Sequence, residues 1–261
     1  MSAKSALVFG ASDGIGKGIA MGLASEGKRL VLVSRNTEGK LKETQKKIID
    51  NTGNEEIKYF TANMCEQKDV TDAVDYALRE LGTIDILINN TGGPQLKRYD
   101  EIDSDEWRKV FDSIFLSAVI PTSIITPYME KQNWGRIVTV TSTVTKEPTP
   151  NMMLSSTIRA AVTTYMKCLS RQVANRGVTV NVAAPGGVET QRIKDLAKYR
   201  AKDTNKTESD IINEDTKNIP IERLASTEEF ANYVLFLCSN KASYITGTSL
   251  NIDGGLSRGT F

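Results

Sequence analysis

Short apolar runs alternate with amphipathic segments along the whole chain. The runs are rich in Val, Ile and Leu, as β-strands are, and read SALVF, RLVLVS, EIKYFTAN, IDILINN, GRIVTVTS, VTVNVAA and SLNID. Helical periodicity fills the intervals between them. Near-continuous apolar strands separated by helices indicate a parallel sheet that is covered on both faces. The pattern therefore predicts a single-domain α/β fold, a doubly wound parallel sheet of about seven strands with helices on both faces.

One segment, 190–226, interrupts this alternation with a polar and charged stretch that delays the last strand. It is longer than the usual connection between a strand and a helix, so we expect a lid over a substrate site, carrying short helices. A solvated surface excursion is the alternative. Neither reading separates two domains, and residues 1–261 are expected to form one.

Composition narrows the classes of partner. The 261 residues are 39% hydrophobic and 25% charged, with a formal net charge of +1. This charge gives no overall attraction to nucleic acid, and no uninterrupted apolar run reaches the roughly 18 residues of a membrane helix. The N-terminus lacks the order of a signal peptide. We therefore expect a cytoplasmic protein that binds neither nucleic acid nor membrane.

The chain contains no histidine. This absence excludes Ser-His-Asp and Cys-His catalysis and every zinc site that contains histidine. The cysteines are odd in number, far apart and in apolar contexts, and they are Cys65, Cys168 and Cys238. We expect buried free thiols and no metal site.

The stretch ALVFGASDGIGKGIAMGLASEG places Gly10, Gly14 and Gly16 between a predicted strand and a predicted helix. Glycine allows a tight turn and a close approach to a pyrophosphate, which the N-terminus of the following helix attracts. A lone glycine triplet is a weak signal, but this one stands in the strand-turn-helix context that the motif requires. It predicts a dinucleotide site in a Rossmann-type fold.

The second strand ends with Ser34 and Arg35, where an NAD-specific site carries an acidic residue for the ribose 2'-hydroxyl. An arginine there favours a 2'-phosphate. We therefore expect NADP(H) to be preferred over NAD(H). The alternative is that Arg35 is a solvated loop residue.

With GASDGIG, NNTGG after the fourth strand, PGGVET after the sixth and ITGTSLNIDGG near the end, the sequence resembles the short-chain dehydrogenase/reductase family, nearest to its 3-oxoacyl-carrier-protein-reductase-like branch. The resemblance covers essentially the whole chain. It implies a small carbonyl or alcohol substrate and a homotetramer or homodimer built on the helices of 104–130 and 151–176. The cofactor-binding residues that it implies, together with those from the second strand, are Gly10, Ser12, Asp13, Gly14, Ile15, Gly16, Ser34, Arg35, Asn63, Met64, Asn90, Gly92, Pro185, Gly186, Val188 and Thr190.

The catalytic positions depart from the family, which uses an Asn, a Ser, a Tyr and a Lys. Ser142 matches the family serine. The tyrosine and lysine positions hold Ser155 and Arg159, and the asparagine position holds Ile114. A serine hydroxyl is a far weaker acid than a tyrosine phenol, and losing a matched acid typically lowers the rate by about 100-fold to 10,000-fold. Tyr165 and Lys167 lie too far along the helix to take over these positions.

Three hypotheses follow. The first is an active NADP(H)-dependent oxidoreductase in which Ser142 and Ser155 orient and protonate a carbonyl, with an ordered water if needed. Arg159 then anchors the nicotinamide ribose or reaches an anionic substrate group, unless its head meets solvent. The second is a catalytically impaired homologue that binds dinucleotide as a sensor or partner subunit. The third is a scaffold without nucleotide, which would not require these glycines.

Overall fold

A computed structural model of the protein describes residues 3–35, 39–201 and 204–260. The strands are β1 Ser5–Phe9, β2 Arg29–Ser34, β3 Ile57–Thr61, β4 Ile86–Asn89, β5 Gly135–Val140, β6 Val178–Pro185 and β7 Ser249–Ile252. The helices are α1 Gly14–Ser25, α2 Lys40–Thr52, α3 Gln67–Leu81, α4 Ser104–Val110, α5 Ser117–Lys131, α6 Met153–Val173, α7 Gln191–Ala201, α8 Glu208–Lys217 and α9 Thr227–Cys238. The predicted strands are all present, each within about two residues of its expected ends.

The seven strands form one parallel sheet in the order β3-β2-β1-β4-β5-β6-β7. The predicted α/β class and the doubly wound Rossmann-type sheet are therefore confirmed. The direction of winding reverses between β1 and β4, so the loops that follow these two strands leave on opposite faces of the sheet. Such a reversal opens a crevice at the carboxyl ends of the strands.

The two faces of the sheet have separate cores because successive side chains of a strand point to opposite sides. In β1, Leu7 and Phe9 pack with residues of α3, α5 and α6, whereas Ala6 and Val8 pack with residues of α1, α2 and α9. Helices therefore cover both faces, as predicted. All five residues of β1 are buried, which explains why its sequence is uniformly apolar after Ser5.

Helices α4 and α5 are joined by a π-helical stretch, Phe111–Leu116, into one long helix. The continuous helix Ser104–Lys131 is long and apolar enough to cross a membrane by length and composition alone, with mean hydropathy 1.5 over an 18-residue window. Serines and threonines interrupt its apolar run without adding charge, so the sequence contains no uninterrupted apolar stretch of membrane-spanning length here. In the fold, one side of this helix is buried core, including Ala118, Ile125 and Met129.

The polar segment 190–226 carries the two short helices α7 and α8, as the sequence predicted. The two helices pack against each other, and Arg200 of α7 forms an ion pair with Asp215 of α8. The segment returns to the sheet through a bridge between Val188 and Ala225. The segment 190–226 is therefore a helical excursion whose two ends lie close together beside β6.

The cysteine prediction is correct for one residue and wrong for another. Cys238 is buried at the end of α9, and desolvation raises the pKa of its thiol to about 12. Cys65 is half-buried, and Cys168 is exposed because it lies on the side of α6 that faces away from the sheet. An apolar sequence context thus did not establish burial on an amphipathic helix.

Gly16 packs its Cα against the turn after β1. A Cβ at this position would lie 2.1 Å from the carbonyl oxygen of Gly10. We expect Gly16→Ala to lower the free energy of unfolding by at least ~2 kcal/mol, because the rigid backbone of the turn must move. Gly92→Ala is the matched control, since a Cβ there meets no atom within 4 Å and the change should stay under ~0.5 kcal/mol. Equal unfolding midpoints for the two variants in urea would contradict this packing.

Candidate active site

A cleft of about 780 Å³ opens at the carboxyl ends of the strands, where the sheet reverses its direction. It is bounded by the loops after β1, β2, β4, β5 and β6 and by the helices α7 and α8. The predicted residues that line it are Gly10, Ser12, Asp13, Gly14, Ile15, Ser34, Arg35, Met64, Asn90, Gly92, Ser142, Ser155, Arg159, Pro185, Gly186, Val188 and Thr190. The tertiary structure thus brings together residues that are spread from the first strand to the lid segment.

The turn after β1 depends on two glycines in the left-handed backbone region. Gly10 has φ +64° and Gly14 has φ +52°. A Cβ on Gly10 would lie 2.5 Å from the backbone oxygen of Asn90, whose side-chain amide donates to the Gly10 oxygen at 3.2 Å. The turns after β1 and β4 therefore touch, and α1 begins at the cleft with its N-terminus towards it.

Asp13 caps α1, because its carboxylate accepts a hydrogen bond from the Gly14 N–H at 2.8 Å. The same carboxylate forms an ion pair with Lys40 at 2.7 Å, and this contact lowers the pKa of Asp13. Asp13 lies on the cleft lining, so its assignment to the cofactor stays a prediction. The structure shows, in addition, a capping role that the resemblance did not include.

Two predicted cofactor residues do not line the cleft. Gly16 is buried beneath the turn, where it packs against Gly10, and its assignment to the pyrophosphate stays a prediction. Asn63 is exposed beyond the cleft wall, and its side-chain oxygen accepts from the Cys65 N–H at 3.2 Å. Asn63 thus acts in a local turn in this structure, because the chain after β3 bends towards Asp69, which accepts from the Asn63 N–H.

The cleft end near β2 has a polar floor. The hydroxyls of Ser12 and Ser34 lie 2.8 Å apart, and Thr44 of α2 donates to the Ser12 carbonyl at 2.9 Å. Arg35 is exposed at the rim, and Met64 forms part of the wall. Within the described residues, this end contains the hydroxyls and the guanidinium that a phosphorylated ribose would contact.

Ser142 and Ser155 both line the opposite end of the cleft. Ser142 follows β5, and its hydroxyl accepts a long hydrogen bond, 3.4 Å, from the Val144 N–H. Ser155 lies in the first turn of α6 and is 4% exposed. Both residues therefore belong to the cleft lining, as do Pro185 and Gly186 after β6.

Arg159 lies one turn after Ser155 and is buried, with only 6% of its surface exposed. Its guanidinium donates to the carbonyl oxygens of Val140 at 3.2 Å, Thr91 at 3.1 Å and Gly92 at 3.4 Å. The alternative of a solvated arginine is therefore wrong. Desolvation, with a smaller contribution from nearby Arg192, lowers the pKa of Arg159 to about 10, so the group stays charged at neutral pH.

Comparison with known proteins agrees with this arrangement. A family model described as enoyl-(acyl carrier protein) reductase matches residues 10–257. The chain is 31% identical over 255 residues to the 3-oxoacyl-[acyl-carrier-protein] reductase FabG of Staphylococcus epidermidis, covering 97% of this chain and 98% of that protein. The chain belongs to the short-chain dehydrogenase/reductase family.

Other members are similar at the same level. The NADPH-dependent reductase BacG of Bacillus subtilis is 30% identical over 259 residues, covering 98% of each chain. The crystal structure of YwfH, an NADPH-dependent reductase involved in bacilysin biosynthesis, has a TM-score of 0.92 at 29% identity and covers 99% of this chain and 100% of that one. The L-sorbose reductase of Gluconobacter frateurii, solved with NADPH and L-sorbose, has a TM-score of 0.92 at 28% identity and covers 99% and 98%.

Ile114, at the position of the family asparagine, is buried within the π-helical stretch. It borders a cavity of about 10 Å³ that Asn89, Thr141 and Arg159 also line, a volume that suits about one water molecule. The Oδ1 atom of Asn89 and the Oγ1 atom of Thr141 are buried there without a hydrogen-bond partner among the described residues. Polar groups therefore adjoin Arg159 in spite of Ile114. Sequence reasoning missed them because Asn89 ends one apolar strand, β4, and Thr141 directly follows another, β5.

Arg192 is a further residue that sequence reasoning missed. It lies near the start of α7, lines the cleft and donates to the Pro94 carbonyl oxygen through Nη2. Desolvation lowers the pKa of Arg192 as well. The mixed charges of the lid segment concealed this residue in the sequence, whereas its position directly after Thr190 and Gln191 is what places it over the cleft.

Tyr165 and Lys167 are outside the cleft, as the helical spacing predicted. Tyr165 packs edge-on against Phe115, with ring centroids 6.1 Å apart. Lys167 donates to the Gly247 carbonyl oxygen at 2.8 Å. Neither residue lines the cleft, so neither replaces the missing tyrosine or lysine of the family.

The forked guanidinium of Arg159 joins α6 to the loops after β4 and β5. We expect Arg159→Lys to lower the free energy of unfolding by about 1 to 3 kcal/mol, because one ammonium group cannot reach all three carbonyl oxygens and leaves a buried acceptor unpaired. The measurement is the urea midpoint with its slope unchanged. Arg171→Lys, on an exposed position of the same helix, is the control. If both variants unfold at the wild-type urea midpoint, the hydrogen bonds of the Arg159 guanidinium do not contribute to stability and the prediction is wrong.

Proposed function

We propose that the protein is an NADP(H)-dependent oxidoreductase that reduces a carbonyl, or oxidises the corresponding alcohol, by hydride transfer. The observation that carries the proposal is one continuous cleft that is lined by the glycine turn and Arg35 at one end and by Ser142 and Ser155 at the other. An oxidoreductase acting between CH–OH and C=O groups is also what membership of the family implies.

The preference for NADP(H) rests on the polar end of the cleft. Arg35 directly follows β2, and its guanidinium favours a 2'-phosphate. Positions 34 and 35 hold no acidic residue that would bind the 2'-hydroxyl of an unmodified ribose. Relatives with NADPH in their descriptions support the same preference. In such a site the dinucleotide supplies the hydride, and Gly10, Gly14 and the first turn of α1 would hold its pyrophosphate.

The chain contributes orientation and a proton path at the other end. Ser142 and Ser155 donate hydrogen bonds to the substrate oxygen and hold its carbon towards the hydride donor. The Ser155 hydroxyl donates its proton to the substrate oxygen. Because a serine hydroxyl is a weak acid, it takes up a proton from a water molecule in the same step. The fixed positive charge of Arg159, one helical turn away, lowers the energy of the negative charge that develops on the oxygen.

Three further features belong to this proposal. The segment 190–226 acts as a lid, since α7 and α8 together form one wall of the cleft. The protein forms a homodimer or homotetramer through the helices of 104–130 and 151–176, where Phe111, Tyr128 and Met153 are exposed. It acts as a single domain in the cytoplasm on a small carbonyl or alcohol, with 3-oxoacyl thioesters among the candidates that its relatives suggest.

Cofactor choice gives the first test. Titration of the protein should show NADPH binding more tightly than NADH, and Arg35→Asp should weaken NADPH binding roughly 10-fold or more by replacing a phosphate contact with a repulsive charge. Arg171→Asp makes the same change of charge at an exposed site away from the cleft and should leave both affinities unchanged. Equal affinities of wild type for the two cofactors would contradict the preference.

Two neighbouring serines test the chemistry. Ser155 lines the cleft, whereas Ser156 is buried with an unpartnered hydroxyl outside the cleft lining. In a screen of carbonyl compounds with NADPH, Ser155→Ala should lower kcat by about 100-fold while the Kd for NADPH stays constant, because the proton donor is lost. Ser156→Ala should retain activity. NADPH binding without turnover of any ketone, aldehyde, sugar or acetoacetyl thioester would refute the proposal.

A further inference from the structure

Two guanidinium groups converge on one short loop of the cleft. Arg159 contacts the loop after β4 at the carbonyl oxygens of Thr91 and Gly92. Arg192 donates to the carbonyl oxygen of Pro94 in the same loop, and a Cβ on Gly93 would lie 3.0 Å from its Nη2 atom. Because Gly92, Gly93 and Pro94 are consecutive, the two positive groups are neighbours although they come from α6 and α7.

The charges of these arginines are not balanced within the described part of the chain. The acidic side chains that line the cleft are Asp13, which pairs with Lys40, and Asp215, which pairs with Arg200. Desolvation lowers the pKa of Arg192, and the negative charge of Asp195 opposes that shift only in part. The Asp195 carboxylate itself accepts a hydrogen bond from Gln191. Arg159 and Arg192 are instead held by carbonyl oxygens, which carry no net charge.

Keeping two like charges close together and away from water costs free energy. Both guanidiniums are desolvated, and their mutual repulsion lowers the pKa of Arg159 further. Buried charges in proteins are normally paired with an opposite charge, and an anion between the two guanidiniums would supply one. Each guanidinium has five N–H donors, so the carbonyl contacts leave donors of Arg192 available to a planar or tetrahedral oxyanion.

We propose that Arg159 and Arg192 bind an anionic group of the substrate, a carboxylate or a phosphate, and hold its carbonyl against Ser142 and Ser155. This inference rests on the proposed function and specifies its substrate class. The preferred substrates are then oxo acids, hydroxy acids or phosphorylated ketones, and neutral carbonyl compounds bind weakly. An anion between the two arginines also joins α7 of the lid segment to α6 of the core.

Matched pairs of anionic and neutral ligands test the site without requiring turnover. Protein saturated with NADP⁺ is titrated by calorimetry with levulinate and methyl levulinate, phenylpyruvate and its methyl ester, and dihydroxyacetone phosphate and dihydroxyacetone. We expect at least one anion to bind about 10- to 100-fold more tightly than its neutral partner, as charge-assisted hydrogen bonds imply. A preference in the phosphate pair alone identifies a phosphate site, and one in the acid pairs a carboxylate site.

Substitutions in α7 test whether this preference for anions depends on Arg192. Arg192→Gln should abolish it with the Kd for NADPH unchanged, and Arg192→Lys should restore part of it. Lys198→Gln, which removes an exposed positive charge from the same helix, should leave the preference intact.

Two results would overturn the anion site. One is that both members of every pair bind equally or not at all in wild type, and the other is that Arg192→Gln weakens NADPH as much as the anions, which would assign the arginine to the cofactor. A different result would show that the proposed function, hydride transfer, is wrong. Anion preference without oxidation of NADPH by any of these carbonyl compounds would support the anion site and reject hydride transfer.

Discussion

The contact between the turns after β1 and β4 is the constraint on which the cleft depends. Gly10 and Gly16 allow these turns to approach until the Asn90 side chain bonds to the Gly10 carbonyl oxygen, and a side chain at either glycine would collide with backbone. Because the sheet reverses its winding between these strands, the contact also aims the N-terminus of α1 at the crevice. The positions of Ser12, Ser34 and Asn90 around the cleft follow from this close approach.

Arg159 makes a second connection, at the other end of the cleft. A lysine there would present one mobile ammonium group, whereas the arginine spreads its donors over three carbonyl oxygens, one at the end of β5 and two in the loop after β4. The positive charge is thereby fixed beside Ser155 and is partly shielded from solvent. Burial lowers the pKa of Arg159 to about 10, which leaves it charged at neutral pH, so the position keeps a positive charge although it holds no lysine.

Other residues bring polar groups close to the position of the missing family asparagine. Ile114 removes a polar side chain from the π-helical stretch, yet Asn89 and Thr141 bring two unpartnered polar atoms to the small cavity that Ile114 borders. The cavity has room for about one water molecule, which would bond to the polar atoms of Asn89 and Thr141. Neither residue stands at one of the family's catalytic positions. Arg159 borders both this small cavity, together with Ile114, and the cleft, together with Ser155, so it adjoins the other two departures from the family.

The sequence by itself determined the sheet, the glycine turn and the family, because these depend on local periodicity and on backbone conformations that few residues adopt. Its resemblance to the family also assigned Ser142, Ser155 and Arg159 to the catalytic positions. Only the tertiary structure decided that the Arg159 head is buried, that Gly16 serves packing, that Asn63 lies outside the cleft and that Cys168 is exposed. It alone placed Arg192 beside Arg159, because proximity between α6 and α7 arises from how the segment 190–226 folds back over the sheet, and no local pattern in the chain encodes that distance.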